Sequence, residues 1–141
     1  MSRIKKAKKL LEDELSNCYQ NLDIEIGKSK RYARDNDFFE KGDSVKDVVI
    51  LAIQYSEILE GSIHKIHKRV RKSGFLGREK FDQEYSRFAA YIFEKFKDYS
   101  LAMLEEISLV KGQKHLYGQN YPELQQSLDS ALTGIINIKG E

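Results

Sequence analysis

The chain has one cysteine, one proline and no tryptophan among 141 residues. A single thiol, Cys18, cannot close an intrachain disulfide, which excludes the disulfide-stapled secreted scaffolds and fits a reducing cytoplasm. No apolar run approaches the roughly 18–20 residues a membrane-spanning helix needs, so no membrane partner is expected. The basic opening MSRIKKAKKLL is not followed by the apolar region or the small-residue cleavage site of a signal peptide, and a soluble cytoplasmic protein is expected. Glycine-rich phosphate loops are missing too: GFLG at 74–77 follows a helical pattern and has no Lys-Ser/Thr after it. No arginine has a histidine four to six positions downstream, so the Arg–His signature of HEPN-class helical nucleases is absent. There are no internal repeats and no low-complexity tracts.

What is present is charge, aromatic residues and a helical period. One third of the residues are charged, and seven Phe and eight Tyr supply bulk for a core. That length and composition suit a single domain, residues 1–141, of long helices with wet outer faces. In the first segment Leu11, Leu15, Cys18, Leu22 and Ile26 recur at alternating four- and three-residue steps, continued by Ser29, Ala33 and Asn36. A helix starting at an N-cap on Ser2 and bending at Gly27 is expected, reaching toward Lys41. Gly42 has the geometry wanted just past a helix C-terminus, and Asp43 or Ser44 can cap the next helix. The chain should therefore fold back as a hairpin over residues 2–72.

The second helix, 44–72, carries a stripe from Val45 through Val48, Val49, Ala52, Leu59, Ile63, Ile66 and Val70. Ile50, Leu51, Ile53 and Ile58 widen that stripe, so burial on more than one side is expected in its middle. Gly74 is expected as the residue that ends it. A third helix, 77–110, runs from Phe81 and Tyr85 through Phe88, Ile92, Phe96 and Tyr99 to Ile107. Residues 111–121 read as a loop, with two glycines and no period. Pro122 then suits the first position of a shorter fourth helix, 122–138. Short connections make helical neighbours antiparallel, so the fold expected is an all-α, up-and-down antiparallel bundle.

The sharpest local signal is HKIHKRVRK, residues 64–72, in which seven of nine side chains are basic or His. Cations suit a helix C-terminus in any protein. Folding at Gly42, however, sets residue i of the first helix opposite about residue 84 − i of the second, which brings Lys5, Lys6, Lys8 and Lys9 near residues 75–79. With Lys65, Lys68, Arg69, Arg71 and Lys72 from the second helix, and Arg78 and Lys80 from the third, they form a basic pole. Glu12, Asp13, Glu14, Glu79 and Asp82 neutralise it in part. Residues 1–80 carry 18 Lys/Arg against 13 Asp/Glu, while the remainder is acidic by three charges. Such a pole can bind nucleic acid or another polyanion by counterion release.

Other chemistry is thinner. Glu57, Glu60, His64 and His67 can share one helix face, but a di-iron bundle needs Glu-x-x-His on two helices and Glu from two more. They read as a wet face, and no metal or cofactor is expected. Cys18 lies on the apolar seam, where a thiol behaves as a small hydrophobe. No catalytic residue is expected; if there is an enzyme here, the Glu60/His64/His67 face is the place for it.

The hairpin carries a further pattern. FFEKGD at 38–43, with Arg31-Tyr32 and Asp35 before it and Tyr55-Ser56, Ser62 and His67 after it, resembles a short archaeal helical family, domain of unknown function 357. The family places an aromatic pair and Glu-Lys/Arg-Gly-Asp at the reversal, then Tyr-Ala-x-Gly-Leu-Leu-Asp. Here that run is Tyr55-Ser56-Glu57-Ile58-Leu59-Glu60-Gly61, with about two extra residues before it. The resemblance covers about 30–75 and implies a helical hairpin and no reaction. The function expected is non-enzymatic macromolecular interaction, of scaffold or adaptor type. The partner is another protein or a second copy in a homodimer, and the alternative is a nucleic-acid-binding subunit using the basic pole.

Overall fold

The computed structural model describes residues 2–35, 43–110 and 114–138. All regular structure in these residues is helical: α1 (Arg3–Asp35), α2 (Asp43–Arg71), α3 (Arg78–Val110) and α4 (Lys114–Ile136). The Gly42 reversal lies outside the described residues. Ser2 caps α1 as its sequence suggests: its hydroxyl accepts from Lys5 N–H at 3.3 Å and its carbonyl from Lys6 N–H at 3.0 Å. The helix runs unbroken through Gly27, about 50 Å at 1.5 Å per residue.

One cluster of buried residues draws on all four helices. From α1 it takes Ala7, Leu11, Leu15, Cys18, Leu22 and Ile26, the expected seam as far as Ile26 extended backward by one turn; the side chains of Ser29, Ala33 and Asn36 lie outside the described residues. From α2 come Val45, Val48, Val49, Ala52, Leu59, Ile63 and Val70. Ile50 and Ile58, expected to widen that stripe, are instead 53 % exposed. These positions lie on the side of α2 that its contacts with α1, α3 and α4 leave open. On α3 the deepest positions are Tyr85, Ala89, Phe93, Phe96, Ser100 and Leu104, while Phe88, Tyr99 and Met103 sit at the margin. Helices α2 and α3 pack against each other, and each also contacts α1 and α4; among the described residues α1 and α4 do not touch. The α2–α3 pair is thus a spine with one helix in each of its grooves.

The beginning of α4 departs from expectation. Residues 114–121, read as loop, are helical, and Pro122 lies inside the helix rather than at its start. Proline there removes one ladder bond, the one to the Gly118 carbonyl, at a cost of about 3 kcal/mol. What offsets it is packing. Tyr117 and Tyr121 continue the stripe of Leu124, Leu128 and Ile135 backward by two turns, and their rings lie 5.3 Å apart against the core. Gly118 is exposed, so its carbonyl can turn to water.

The α2–α3 connection also differs in detail. Gly74 was the expected left-handed residue, yet among the described glycines positive φ is found at Gly77, at 68°. Gly74 matters for a different reason: a Cβ there would stand 3.3 Å from the Arg3 guanidinium carbon, and that side chain would have to give by a few tenths of an ångström. The Gly77 carbonyl then accepts from Phe81 N–H at 2.9 Å and starts α3.

Candidate functional site

The chemistry-bearing side chains collect where the first turn of α1 meets the α2–α3 connection, and Arg3 makes that junction. Its guanidinium donates to the Arg71 carbonyl at 3.2 Å, the Gly74 carbonyl at 3.3 Å and the Leu76 carbonyl, and lies 5.4 Å from the Phe81 ring. It satisfies the Arg71 carbonyl at the end of α2 and two carbonyls of the connection that follows it. Arg78 Nε adds a bond to the Gly74 carbonyl at 2.8 Å, and Ser73 Oγ donates to the Val70 carbonyl at 2.6 Å.

Arg3 thus reaches the backbone of residues 71–76, and Lys5, Lys6 and Lys9 follow it within the first two turns of α1. Lys8 has its ammonium 5.2 Å from the Phe88 ring.

The eleven cations of the sequence-level pole divide into two groups. Lys5, Lys6, Lys9, Lys65, Lys68, Arg69 and Lys72 are exposed, and among the described residues none of them is in an ion pair. Lys8, Arg71, Arg78 and Lys80 are engaged. Arg71 Nε donates to both oxygens of Asp82 at 3.1 Å, Arg78 lies 4.8 Å from the Phe75 ring, and Lys80 is 3.8 Å from Glu84.

His67 overturns the reading of a wet face. It is 4 % exposed, stacks on Phe81 and leans on Tyr85. Its Nε2 stands 2.7 Å from Asp82 Oδ1. An ionised carboxylate can only accept, so Nε2 carries the proton of that bond. Burial alone would raise the Asp82 carboxyl, but hydrogen bonds from His67 and Arg71, and their charges, outweigh it and hold the group below its ordinary 3.8. Behind the histidine, the Tyr85 hydroxyl donates to the Ile63 carbonyl. The outer edge of Asp82 lines a groove of about 550 Å³ shared with Arg71, Glu79 and the end of α4, Ile136–Ile138. Sequence spacing held a clue to His67: it stands four residues after buried Ile63 and three before buried Val70. Asp82, fifteen positions away, carries no comparable signal.

The remaining candidates separate. Glu57 and Glu60 line a polar crevice of about 490 Å³ with Ser56, Ser127 and Ser130. Among the described residues no group of three or more His, Cys, Asp or Glu could hold a metal ion. Cys18 is buried, and burial, with the Glu14 charge second, pushes its thiol up to about 11, so at neutral pH it is a packed hydrophobe. Among the described residues no helix is long and apolar enough to cross a membrane. Compared with protein-family models, curated proteins and solved structures, the chain matches none of them.

Proposed function

We propose that this is a non-enzymatic, cytoplasmic helical protein that acts by macromolecular interaction, and that its ligand is a nucleic acid or similar polyanion held at the cationic end of a single-domain bundle. In this reading the four helices run up and down, antiparallel between chain neighbours, as the hairpin resemblance at 30–75 also implies for α1 and α2. One observation carries it. Seven exposed cations lie in the first turns of α1, in the last two turns of α2 and, with Lys72, just past its end, and none is matched to an anion among the described residues. The neighbouring anion with the deepest burial, Asp82, is already taken by His67 and Arg71. Phosphates approaching this surface release counterions from themselves and meet side chains with no internal pairing to give up. Since the cations sit on helix faces and the exposed aromatic beside them, Phe75, has Arg78 over one face, binding follows backbone charge rather than base sequence.

The test is fluorescence anisotropy with short labelled RNA and DNA at ~50 and ~200 mM salt. The log–log salt slope should lie between roughly −0.7 and −0.9 per phosphate contacted. Combined Lys68→Glu, Arg69→Glu and Lys72→Glu should weaken binding without unfolding the protein, because all three flank the packed Ile66 and Val70. Arg71 is left intact, since it belongs to the buried Asp82 network. Absence of wild-type binding at ~50 mM salt, or equal binding by the triple variant, refutes the reading. Self-association completes the proposal: Ile24 and Ile50 are each 53 % exposed, and they offer apolar surface to a second copy.

A further inference from the structure

The α2–α3 connection presents its two bulkiest apolar residues to water. Phe75 is 85 % exposed and Leu76 89 %, whereas other large apolar side chains among the described residues reach at most 54 %. Side chains on a loose loop could fold back onto the core, but this turn is tied down. Arg3 donates to the Leu76 carbonyl on one side and the Gly74 carbonyl on the other, Arg78 adds a second bond to Gly74, and Gly77 reverses the backbone at φ 68°. A Cβ at Gly74 would crowd the Arg3 guanidinium at 3.3 Å, so the glycine lets the clamp sit close to the turn. The result is a rigid, convex tip with two adjacent hydrophobes at its crest.

The charge around the crest decides what it fits. Between residues 68 and 80 there are six cations and one anion, Glu79. Lys68, Arg69, Lys72 and Lys80 are exposed, and Arg78 holds its guanidinium 4.8 Å from the Phe75 ring. A nucleic acid would use an aromatic face for stacking, yet Arg78 already covers one face of Phe75, and Leu76 has no π-face to offer. A bilayer surface needs an apolar crest that can sink to the headgroup–acyl boundary and a basic collar that stays among anionic headgroups.

We propose that Phe75 and Leu76 form an interfacial anchor that docks this end of the bundle on a bilayer carrying anionic lipid. The expectation of no membrane partner rested on the lack of a spanning segment, which does not bear on attachment at the surface. Insertion is shallow and reversible, because two side chains and a handful of charges hold it. The same collar serves the polyanion reading, but the crest does not, and the two separate by experiment.

The chain lacks tryptophan, so Phe75→Trp introduces a unique fluorophore at the crest. With phosphatidylcholine vesicles containing about 30 mol % phosphatidylserine, its emission should shift to the blue, and with phosphatidylcholine alone it should not. In flotation assays the wild-type chain should partition onto the anionic vesicles. Phe75→Ser with Leu76→Ser should reduce partitioning by about tenfold or more while leaving thermal melting unchanged, since neither side chain is packed. Affinity of the serine variant for labelled RNA, measured in parallel, reports on the cationic pole alone, so failure of one reading is distinguishable from failure of the other. An unshifted indole on anionic vesicles, or equal partitioning by the serine variant, overturns the proposal. A blue shift without lipid as protein concentration rises, or on adding RNA, gives the crest to a second copy or to nucleic acid and also overturns it.

Discussion

Removing Asp82 is the most informative perturbation of the folded state. Its carboxylate accepts from His67 and, through both oxygens, from Arg71, with side-chain exposures of 13 % for Asp82, 5 % for His67 and 19 % for Arg71. These groups are too well shielded for solvent to replace the lost bonds cheaply. Hydrogen bonds to charged groups are worth about 1.5–3 kcal/mol each, and they do not add. Breaking a buried pair by deleting one partner costs about 3–5 kcal/mol, because the other is left unmatched. Asp82→Ala should therefore lose about 3–5 kcal/mol from a total of the order of 5–15. Asp82→Asn keeps the shape and one acceptor, so it should lose less, about 1–3 kcal/mol.

Urea unfolding followed by far-UV circular dichroism measures this as a lower midpoint at constant slope. The sign of the pH dependence is fixed as well. Asp82 titrates below its ordinary 3.8 in the folded chain, so the unfolded state binds the proton more readily. The stabilisation is present above the unfolded value and is lost as pH falls through the folded one. Below about pH 4 the wild-type curve should drop toward that of Asp82→Asn, which lacks this titration. A loss under about 1 kcal/mol for Asp82→Ala at neutral pH, or parallel acid limbs for wild type and Asp82→Asn, refutes the reasoning.

Gly77→Val should destabilise by roughly 1–2 kcal/mol from left-handed strain, while Gly77→Asn should be milder; equal thermal melting of all three chains would mean another backbone path through the turn. Arg3→Ala should cost about 1–3 kcal/mol by uncapping the end of α2, read as a lower urea midpoint. Cys18 should react with a thiol reagent only as fast as the protein unfolds, since its thiol is buried and pushed up to about 11; labelling of the native chain at the rate of a free thiol would contradict that. Light scattering at high concentration should report a dimer if the exposed Ile24 and Ile50 surfaces pair, and a particle of 16.4 kDa would exclude it.

Where the apolar stripe keeps its period, helix was legible in the sequence. The segments on either side of the α2–α3 break are cases, because Ile63, Val70, Phe81 and Tyr85 hold that period and are buried. The start of α4 shows the opposite. Gly118 and Pro122 are strong local signals against a helix, and local signals were outweighed by the packing of Tyr117 and Tyr121 against the core. Nothing in the 114–122 window reveals that a groove is waiting for those rings. Burial on α2 was over-read for a related reason. Ile50 and Ile58 are hydrophobic enough for a core, but the contacts of α2 with α1, α3 and α4 leave their side open.

The candidate site was legible as a composition and illegible as a network. HKIHKRVRK announces a cationic helix end, and the hairpin brings Lys5, Lys6 and Lys9 to it whatever the details of the turn. Which cations stay available is another matter, settled by partners far away in sequence. Asp82 removes Arg71 from the pool, and Phe88 engages Lys8. Arg3, the one cation of the first turn that pattern reading passed over, does the most structural work by fixing the α2–α3 turn. That division has a functional consequence. The engaged cations set the shape of the tip, and the seven unengaged ones set its potential. Charge reversal at Lys68, Arg69 and Lys72 should therefore alter ligand binding at constant stability, whereas substitution at Arg3 or Arg71 should alter stability first.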